Sequence, residues 1–418
     1  MAKIISTYVL RIKQFSHNAR FYLFNAILSG AALGVYRLLF NFYALSLNLD
    51  ESIIGHIITI SSTTALILAL PMGYLADSLG RKTSLLLGGL LTSSSIVAMV
   101  LWPSAGLFYA MAVLMGASQS LSAVTVAPFL LENSGPEERT YLFSLSQGLT
   151  MTASFVGNSI GGYLPTWIGQ ARGVGATSST AYSGALGIIA ILSVLALLPL
   201  LALRTPRLSA GEKSLFAPIG YAVKNMGTIG KMVLPMLITS IGAGLFMPFM
   251  NVFFRVVYKQ PDPVIGNVLA WGALAMGVGL LIAPPIADRI GKIKLVVITQ
   301  GLSIPFLIIL GYSPWFWLSA MGHYVRLSLM NMGGPVYNAF VMENVEPKSR
   351  AMVASLTSMA WNFGWAFTPS ISGWMQVKYG FGPVFLSVII IYTISVFLYW
   401  KFFWNSGQEK AAVPVPTD

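Results

Sequence analysis

Arg37 and Arg326 are the residues of this sequence whose chemistry is most unusual for their surroundings. Each lies inside a long apolar stretch, where a charged guanidinium is costly unless it meets water or an anion. A guanidinium presents paired N–H donors that match the oxygens of a carboxylate or a phosphate group. The two arginines therefore predict an anion site inside the apolar part of the protein. The open alternative is that each is structural, reaching an interface or bonding backbone carbonyls.

The acidic residues of the sequence offer these two cations no internal counter-charge. All 13 Asp and Glu residues fall at the edges of apolar stretches, in loops or in the tail. None is expected at the depth of the arginines, so a bound anion should come from outside the chain.

A histidine accompanies one of the arginines. His323 precedes Arg326 by about one helical turn, and imidazole can exchange protons near neutral pH. The adjacent guanidinium disfavours protonated His323 until an anion arrives. His323 is therefore a candidate for coupling protons to anion movement, and a hydrogen-bonding core histidine is the alternative.

Other polar and aromatic side chains in the apolar stretches could orient a bound molecule. The candidates are Asn41, Gln119, Asn251, Asn331, Tyr337 and Trp361. The amides could equally bridge neighbouring helices, and the rings could simply pack. No metal-ligand spacing, nucleophile motif or nucleotide-binding loop is present, and the chain has no cysteine. We therefore expect no metal, no cofactor and no enzymatic activity.

Apolar spans must position these residues. Of the 418 residues, 56% are hydrophobic and only 9% are charged, whereas soluble domains carry about 25% charged residues. Stretches of this length and composition cross a bilayer as helices. The twelve predicted spans are Phe21–Leu47, Ile53–Ala76, Thr83–Trp102, Ala105–Leu131, Tyr141–Trp167, Ala181–Leu203, Met232–Phe254, Val264–Ala287, Ile293–Tyr312, Trp315–Met342, Ala351–Val377 and Pro383–Trp404. The sequence thus predicts an all-α protein embedded in a lipid bilayer.

The chain repeats itself at a spacing of 211 residues. The matching pairs are Gly55 with Gly266, Asp77 with Asp288, Gly80 with Gly291, Glu132 with Glu343, Arg139 with Arg350, and Gly162 with Gly373. The repeat predicts two similar halves. Residues 1–203 form the first half and begin with a basic amphipathic segment, 204–231 form a cytoplasmic linker, and 232–418 form the second half with a short tail.

The net charge of +12 reflects orientation. Lys and Arg gather in the segments on one side of the predicted spans, and the positive-inside rule places that side and both termini in the cytoplasm. The positive charge is thus explained by orientation, and we expect no nucleic acid as a partner. We expect a monomer in the plasma or inner membrane, with a small anionic molecule and lipid as its partners.

A charged loop follows the second span. Residues 73–82 read Gly-Tyr-Leu-Ala-Asp-Ser-Leu-Gly-Arg-Lys, and residues 287–292 repeat the core of this sequence. The doubled loop resembles the signature of the major facilitator superfamily of transporters. The resemblance implies twelve transmembrane helices in two pseudo-symmetric six-helix bundles. It also implies a central cavity lined by the first, fourth, seventh and tenth helices, with Arg37 and Arg326 across from one another.

The charged residues around the two loops form two copies of one cluster. The copies are Asp77, Arg81, Glu132 and Arg139, and Asp288, Lys292, Glu343 and Arg350. The family resemblance implies that the charge pairs of these clusters hold the inner gate closed in the outward-facing state and break in the inward-facing state. Anchoring the loops to lipid headgroups is the alternative.

Two transport functions remain open from the sequence. The first is a secondary transporter that moves a small organic anion, a carboxylate or a phosphate ester, by alternating access. It would be an antiporter, or a symporter if His323 carries a proton. The second is an exporter of drugs, amphiphiles or lipids in which the arginines are structural. A membrane enzyme or receptor lacks supporting motifs.

Overall fold

The structure is a computed structural model that describes residues 14–135, 139–204, 226–344 and 350–404. All regular structure in these ranges is helical. The helices are α1 (His17–Ser46), α2 (Glu51–Leu79), α3 (Arg81–Leu101), α4 (Ala105–Glu132), α5 (Arg139–Gly161), α6 (Leu164–Arg172), α7 (Ser179–Leu195), α8 (Leu198–Leu201), α9 (Met226–Phe246), α10 (Met250–Val256), α11 (Asp262–Ile290), α12 (Lys292–Tyr312), α13 (Phe316–Glu343), α14 (Arg350–Trp365), α15 (Thr368–Tyr379) and α16 (Phe381–Phe403). The predicted amphipathic segment before residue 14, most of the predicted linker and the tail after 404 lie outside the described residues.

Nine stretches of the described helices are long and apolar enough to cross a bilayer. They correspond to nine of the twelve predicted spans. The fifth, tenth and eleventh predicted spans are also helical but fall outside this set. In the tenth, α13 carries His323, Arg326 and Asn331, which lower its mean hydropathy.

Four predicted spans are interrupted where the sequence predicted continuous helices. The fifth divides into α5 and α6, the sixth into α7 and α8, and the eleventh into α14 and α15. In the seventh, a 3₁₀ turn, Met247–Phe249, separates α9 from α10. A proline stands in the first two positions after each break: Pro165, Pro199, Pro248 and Pro369. Proline lacks the N–H that continues a helix, and it is accommodated at a helix start.

The chain divides into two compact units. The first contains Met1–Lys213 and Asn251–Ala270, and the second contains Ser214–Met250 and Trp271–Asp418. Residues 251–270, which include the end of the seventh span and the start of the eighth, therefore cluster with the first unit.

Close helix contacts in the first unit depend on small residues. A Cβ atom on Gly30 of α1 would lie 2.7 Å from the carbonyl oxygen of Thr150 in α5. A Cβ on Gly157 of α5 would lie 2.4 Å from the carbonyl oxygen of Ala31. Van der Waals contact between these backbones requires glycine, as in many membrane helix pairs.

The core of the second unit includes a cluster of buried apolar and aromatic residues from α9, α12, α13, α14 and α16. Tyr337 of α13 lies in this cluster, with its ring edge-on to Tyr399 at a centroid distance of 4.9 Å.

The two charged loops have the same backbone turn. Gly80 precedes α3 with φ +80°, and Gly291 precedes α12 with φ +95°. Positive φ favours glycine because a Cβ atom would be strained there. The repeat seen in the sequence is thus present in the local geometry.

Candidate functional site

Arg37 lies on the exposed part of α1 in the first unit. Ser29, Leu33 and Arg37, at successive four-residue intervals, are all exposed. The neighbouring arc of the helix, with Gly30 and Gly34, is covered by α5. Within the described residues, the Arg37 guanidinium has no hydrogen-bond or ion-pair partner. Arg37 therefore presents an uncompensated cation on the surface of this unit.

Arg326 is enclosed in the second unit, with 2% of its surface exposed. Its Nη2 atom donates to the Tyr392 hydroxyl at 2.8 Å, and its Nη1 atom lies 3.4 Å from the Met247 sulfur. The Cζ atom stands 4.5 Å from the ring centroid of Phe246. Nε has no acceptor in the described part of the chain. Aromatic rings and a thioether, with no described carboxylate, therefore surround this cation.

The break in the seventh span contributes two walls of this enclosure. Phe246 is the last residue of α9, and Met247 begins the 3₁₀ turn that Pro248 favours. Interrupted helices are common at the binding sites of membrane transporters. Arg326 thus lies at the point where the seventh span changes helix type.

Two of the predicted polar residues are bonded to each other inside the first unit. The Asn41 amide donates to Asn251 Oδ1 at 2.9 Å, and Asn251 Nδ2 donates to the Leu38 carbonyl at 2.7 Å. Both asparagines are only 3% exposed. This geometry joins α1 to α10 as an interhelical bridge.

The remaining predicted orienting residues have separate surroundings. Gln119 is exposed, and its amide lies 3.5 Å from the Ser61 hydroxyl. Asn331 donates to the Leu327 carbonyl of its own helix, and Tyr337 donates to the Met232 carbonyl at 2.6 Å. Trp361 is partly exposed, and its carbonyl accepts a hydrogen bond from Ser240. Of these four, Gln119 and Trp361 are the most accessible.

His323 is buried between α13 and α11 of the second unit. Its exposed fraction is 2%. A Cβ atom on Gly272 of α11 would lie 2.8 Å from the His323 Nε2 atom. The ring therefore fills the space that this glycine leaves open.

One ion pair of the predicted gating clusters is described. Arg81 Nε lies 3.0 Å from Glu132 Oε1, joining the start of α3 to the end of α4. Lys292 is the first residue of α12. The side chains of the other predicted members, Asp77, Arg139, Asp288, Glu343 and Arg350, lie outside the part of the chain that the structure describes.

The structure contains a charged cluster that sequence reasoning missed. Arg255 and Asp262 form an ion pair, and Asp262 is only 6% exposed. The Tyr182 hydroxyl donates to Asp262 Oδ2 at 2.7 Å and accepts from Arg255 Nη2 at 2.7 Å. The Arg255 Cζ atom lies 3.5 Å from the ring centroid of Phe42. The opposite charges flanking the short loop before α11 were the available signal, whereas nothing in the sequence pointed to Tyr182.

Lys82 belongs to the charged loop at residues 73–82. Its Nζ atom donates to the carbonyls of Leu201 and Leu203 at 2.6 and 2.8 Å. A cation stabilises the C-terminal carbonyls of a helix. Lys82 therefore ties the charged loop to the end of α8.

Comparison with known proteins provides the family context. The sequence model of the Major Facilitator Superfamily matches residues 22–259 and 232–415. No curated protein matches the sequence.

Solved membrane transporters share the fold over almost their whole length. The nucleoside transporter NupG has 16% identity and a TM-score of 0.73, covering 93% of this chain and 99% of its own. A bacterial homolog to the human lysosomal transporter Spinster, inward-facing and unoccupied, has 14% identity and a TM-score of 0.72. The match covers 96% of this chain and 98% of the homolog. The human organic anion transporter TETRAN has 14% identity and a TM-score of 0.62, covering 92% and 99%. The predicted all-α fold of twelve membrane helices in two pseudo-symmetric bundles is confirmed.

Proposed function

Because the chain belongs to the major facilitator superfamily, we propose that it is a secondary transporter that moves a small organic anion across the bilayer by alternating access. The anion is a carboxylate or a phosphate ester. Structural relatives include transporters described as acting on nucleosides and on organic anions. The fold alone is therefore compatible with several substrate classes, and the choice of an anion rests on side chains.

The observation that carries the proposal is the pair of arginines without described carboxylate partners. Arg37 is exposed on α1 and has no partner in the described ranges. Arg326 is buried, and a phenol and a thioether are the described partners of its donors. Charged side chains within membrane spans generally have a functional role, because placing a charge inside the bilayer costs free energy. Both guanidinium groups suit an incoming oxyanion.

The other predicted residues take supporting roles in this proposal. Gln119 and Trp361 contact the substrate, and the buried Asn41–Asn251 pair holds the helices that carry the site. Asn331 and Tyr337 shape α13 through their hydrogen bonds. The gating clusters, with the Arg81–Glu132 pair as their described part, open and close the inner side.

The cellular setting belongs to the same proposal. The protein is a monomer in the plasma or inner membrane, with both termini and the linker at 204–231 in the cytoplasm. Ion or substrate gradients drive it, without a cofactor. It works as an antiporter, or as a proton symporter if His323 exchanges the proton.

One observation favours the second candidate, an exporter of drugs, amphiphiles or lipids. The rings of Phe246 and Tyr392 stabilise the Arg326 charge inside the protein. In this candidate both Arg326, held in this way, and Arg37 are structural.

Uptake into liposomes distinguishes the two candidates. The full chain is reconstituted, and uptake of labelled carboxylates and phosphate esters is compared for the wild type, Arg37→Ala and Arg326→Ala. Each substitution should lower uptake about tenfold or more, since a charge-assisted hydrogen bond contributes about 1.5–3 kcal/mol.

The matched control is Arg172→Ala, which removes an exposed arginine at the end of α6. This variant should transport at the wild-type rate. Equal uptake by the wild type and both test variants would reject the anion hypothesis and favour the exporter.

A further inference from the structure

The donors of Arg326 outnumber its described acceptors. A guanidinium carries five N–H bonds, whereas the described acceptors are the Tyr392 oxygen and the Met247 sulfur. The Nε atom has none, although the residue is 2% exposed. Buried donors without acceptors are costly, and more so on a charged group. The edge of the guanidinium that includes Nε is therefore suited to an added acceptor.

The aromatic neighbours stabilise the charge without occupying that edge. Cation–π attraction acts over the face of a ring, and the Cζ atom of Arg326 lies 4.5 Å from the Phe246 centroid and 5.4 Å from the Tyr392 centroid. Hydrogen bonds to an oxyanion lie in the plane of the guanidinium. The rings and an anion can thus act on Arg326 together.

Tyr392 is itself held rigidly. It is 1% exposed and lies edge-on to Phe246, with an interplanar angle of 81°. A Cβ atom on Gly242 would lie 2.5 Å from the Tyr392 ring, so α9 approaches the ring closely. A fixed hydroxyl 2.8 Å from Nη2 determines the orientation of the guanidinium.

Charge and polarity around Arg326 restrict the ligand class. At Arg326 alone, one guanidinium neutralises one negative charge, so a carboxylate leaves no net charge beside it, whereas a doubly charged phosphate ester would need a second cation. The described contacts of the Arg326 guanidinium are the Tyr392 hydroxyl, the Met247 thioether and the rings of Phe246 and Tyr392. A polyhydroxylated ligand would therefore find few hydrogen-bond partners among these described contacts, whereas an apolar body would match the Phe246 and Met247 side chains in polarity.

We propose that Phe246, Met247 and Tyr392 form a cage that presents Arg326 to a single carboxylate on an apolar or aromatic body. Tyr392 is the positioning residue of this site, because it acts through Arg326. This inference rests on the proposed function, which it narrows from organic anions to apolar monocarboxylates.

Ligand-dependent thermal stabilisation of the purified full chain tests the cage. The probes are benzoate, glycerol 3-phosphate and uridine, titrated against the wild type, Arg326→Lys and Tyr392→Phe. Lysine keeps the charge of Arg326 but loses its planar fork, and phenylalanine keeps the ring of Tyr392 but loses the hydroxyl. Benzoate should raise the melting temperature of the wild type by a few degrees, and both variants should need about tenfold more benzoate for the same rise.

Tyr312→Phe is the matched control, since it removes an exposed tyrosine hydroxyl that donates to the Gly382 carbonyl. Its benzoate titration should match that of the wild type. The half-saturating concentration is the readout, so a change in basal stability alone does not imitate the effect.

Four outcomes overturn the inference. Stronger Arg326-dependent protection by glycerol 3-phosphate rejects the carboxylate and leaves anion transport standing. An unchanged titration in Tyr392→Phe rejects the positioning role. A benzoate titration that is unchanged in Arg326→Lys rejects the cage as the site. Protection by uridine alone, or by none of the probes, rejects the cage, and the liposome uptake of the arginine variants then decides separately whether anion transport survives.

Discussion

Arg255 and Asp262 form an ion pair across the short connection between α10 and α11. Tyr182 bonds both partners, and the ring of Phe42 lies against the guanidinium. All four residues belong to the first unit, although the chain reaches Arg255 only after the start of the predicted second half. The cluster therefore fastens residues 251–270 to α1 and α7.

Breaking the Arg255–Asp262 ion pair should weaken the packing of residues 251–270 against α1 and α7. Asp262→Asn keeps the shape of the side chain but leaves Arg255 without its anion, which should cost on the order of 3 kcal/mol. Hydrogen exchange should accelerate across residues 251–270 more than elsewhere. Asp50→Asn is the control, because Asp50 caps α2 through Ile53 N and asparagine caps equally well. Equal exchange in both variants would show that the pair contributes nothing to this packing.

Contact between α1 and α5 should depend on a single glycine. A Cβ atom on Gly157 would lie 2.4 Å from the Ala31 carbonyl oxygen, and that neighbour is backbone. Gly157→Ala should therefore destabilise the protein by about 1–3 kcal/mol through overpacking.

Thermal unfolding checks this, with Gly148→Ala as the control in the same helix. No described atom lies within 4 Å of the Cβ position of Gly148, so alanine there should be neutral or stabilising by up to about 1 kcal/mol. If both variants melted at the same temperature, close approach at Gly157 would not limit stability.

The Arg81–Glu132 pair distinguishes gating from simple anchoring. Its two side chains are 12% and 29% exposed, and the ions lie 3.0 Å apart. Arg81→Glu or Glu132→Arg alone should reduce transport, and the double reversal should restore much of the rate because the pair is rebuilt. Uptake rates analysed as a double-mutant cycle measure this coupling. Additive losses would mean that each charge anchors its loop independently.

The repeat, the helical class and the family could be predicted because each follows from local patterns. Apolar length and the 211-residue spacing need no knowledge of packing. The helix breaks could also have been anticipated, since Pro165, Pro199, Pro248 and Pro369 each follow one. Prolines such as Pro71 and Pro128, however, lie within continuous helices. Proline alone therefore does not separate the two cases.

Side-chain partners were the part that the sequence could not supply. Arg326 was recognised as a buried cation, but Phe246 and Tyr392 come from distant helices that no motif links to it. Asn41 and Asn251 were predicted as orienting residues, and the structure bonds them to each other across 210 residues. This separation is one residue short of the 211-residue repeat, so the sequence already shows that the two asparagines take nearly equivalent positions in the two halves. A contact between their amides, however, depends on how the helices pack.

The last prediction concerns proton coupling through His323. His323→Gln keeps a hydrogen-bonding side chain of similar size but removes the imidazole, which is the proposed proton carrier. Uptake should lose its response to an imposed pH gradient, while exchange driven by a substrate gradient continues. His56→Gln is the control, because His56 is an exposed histidine of α2. Gly272→Ala adds a second probe, since its methyl group would press on the His323 ring and should weaken the same response. A pH dependence that survives in His323→Gln would exclude this histidine as the carrier.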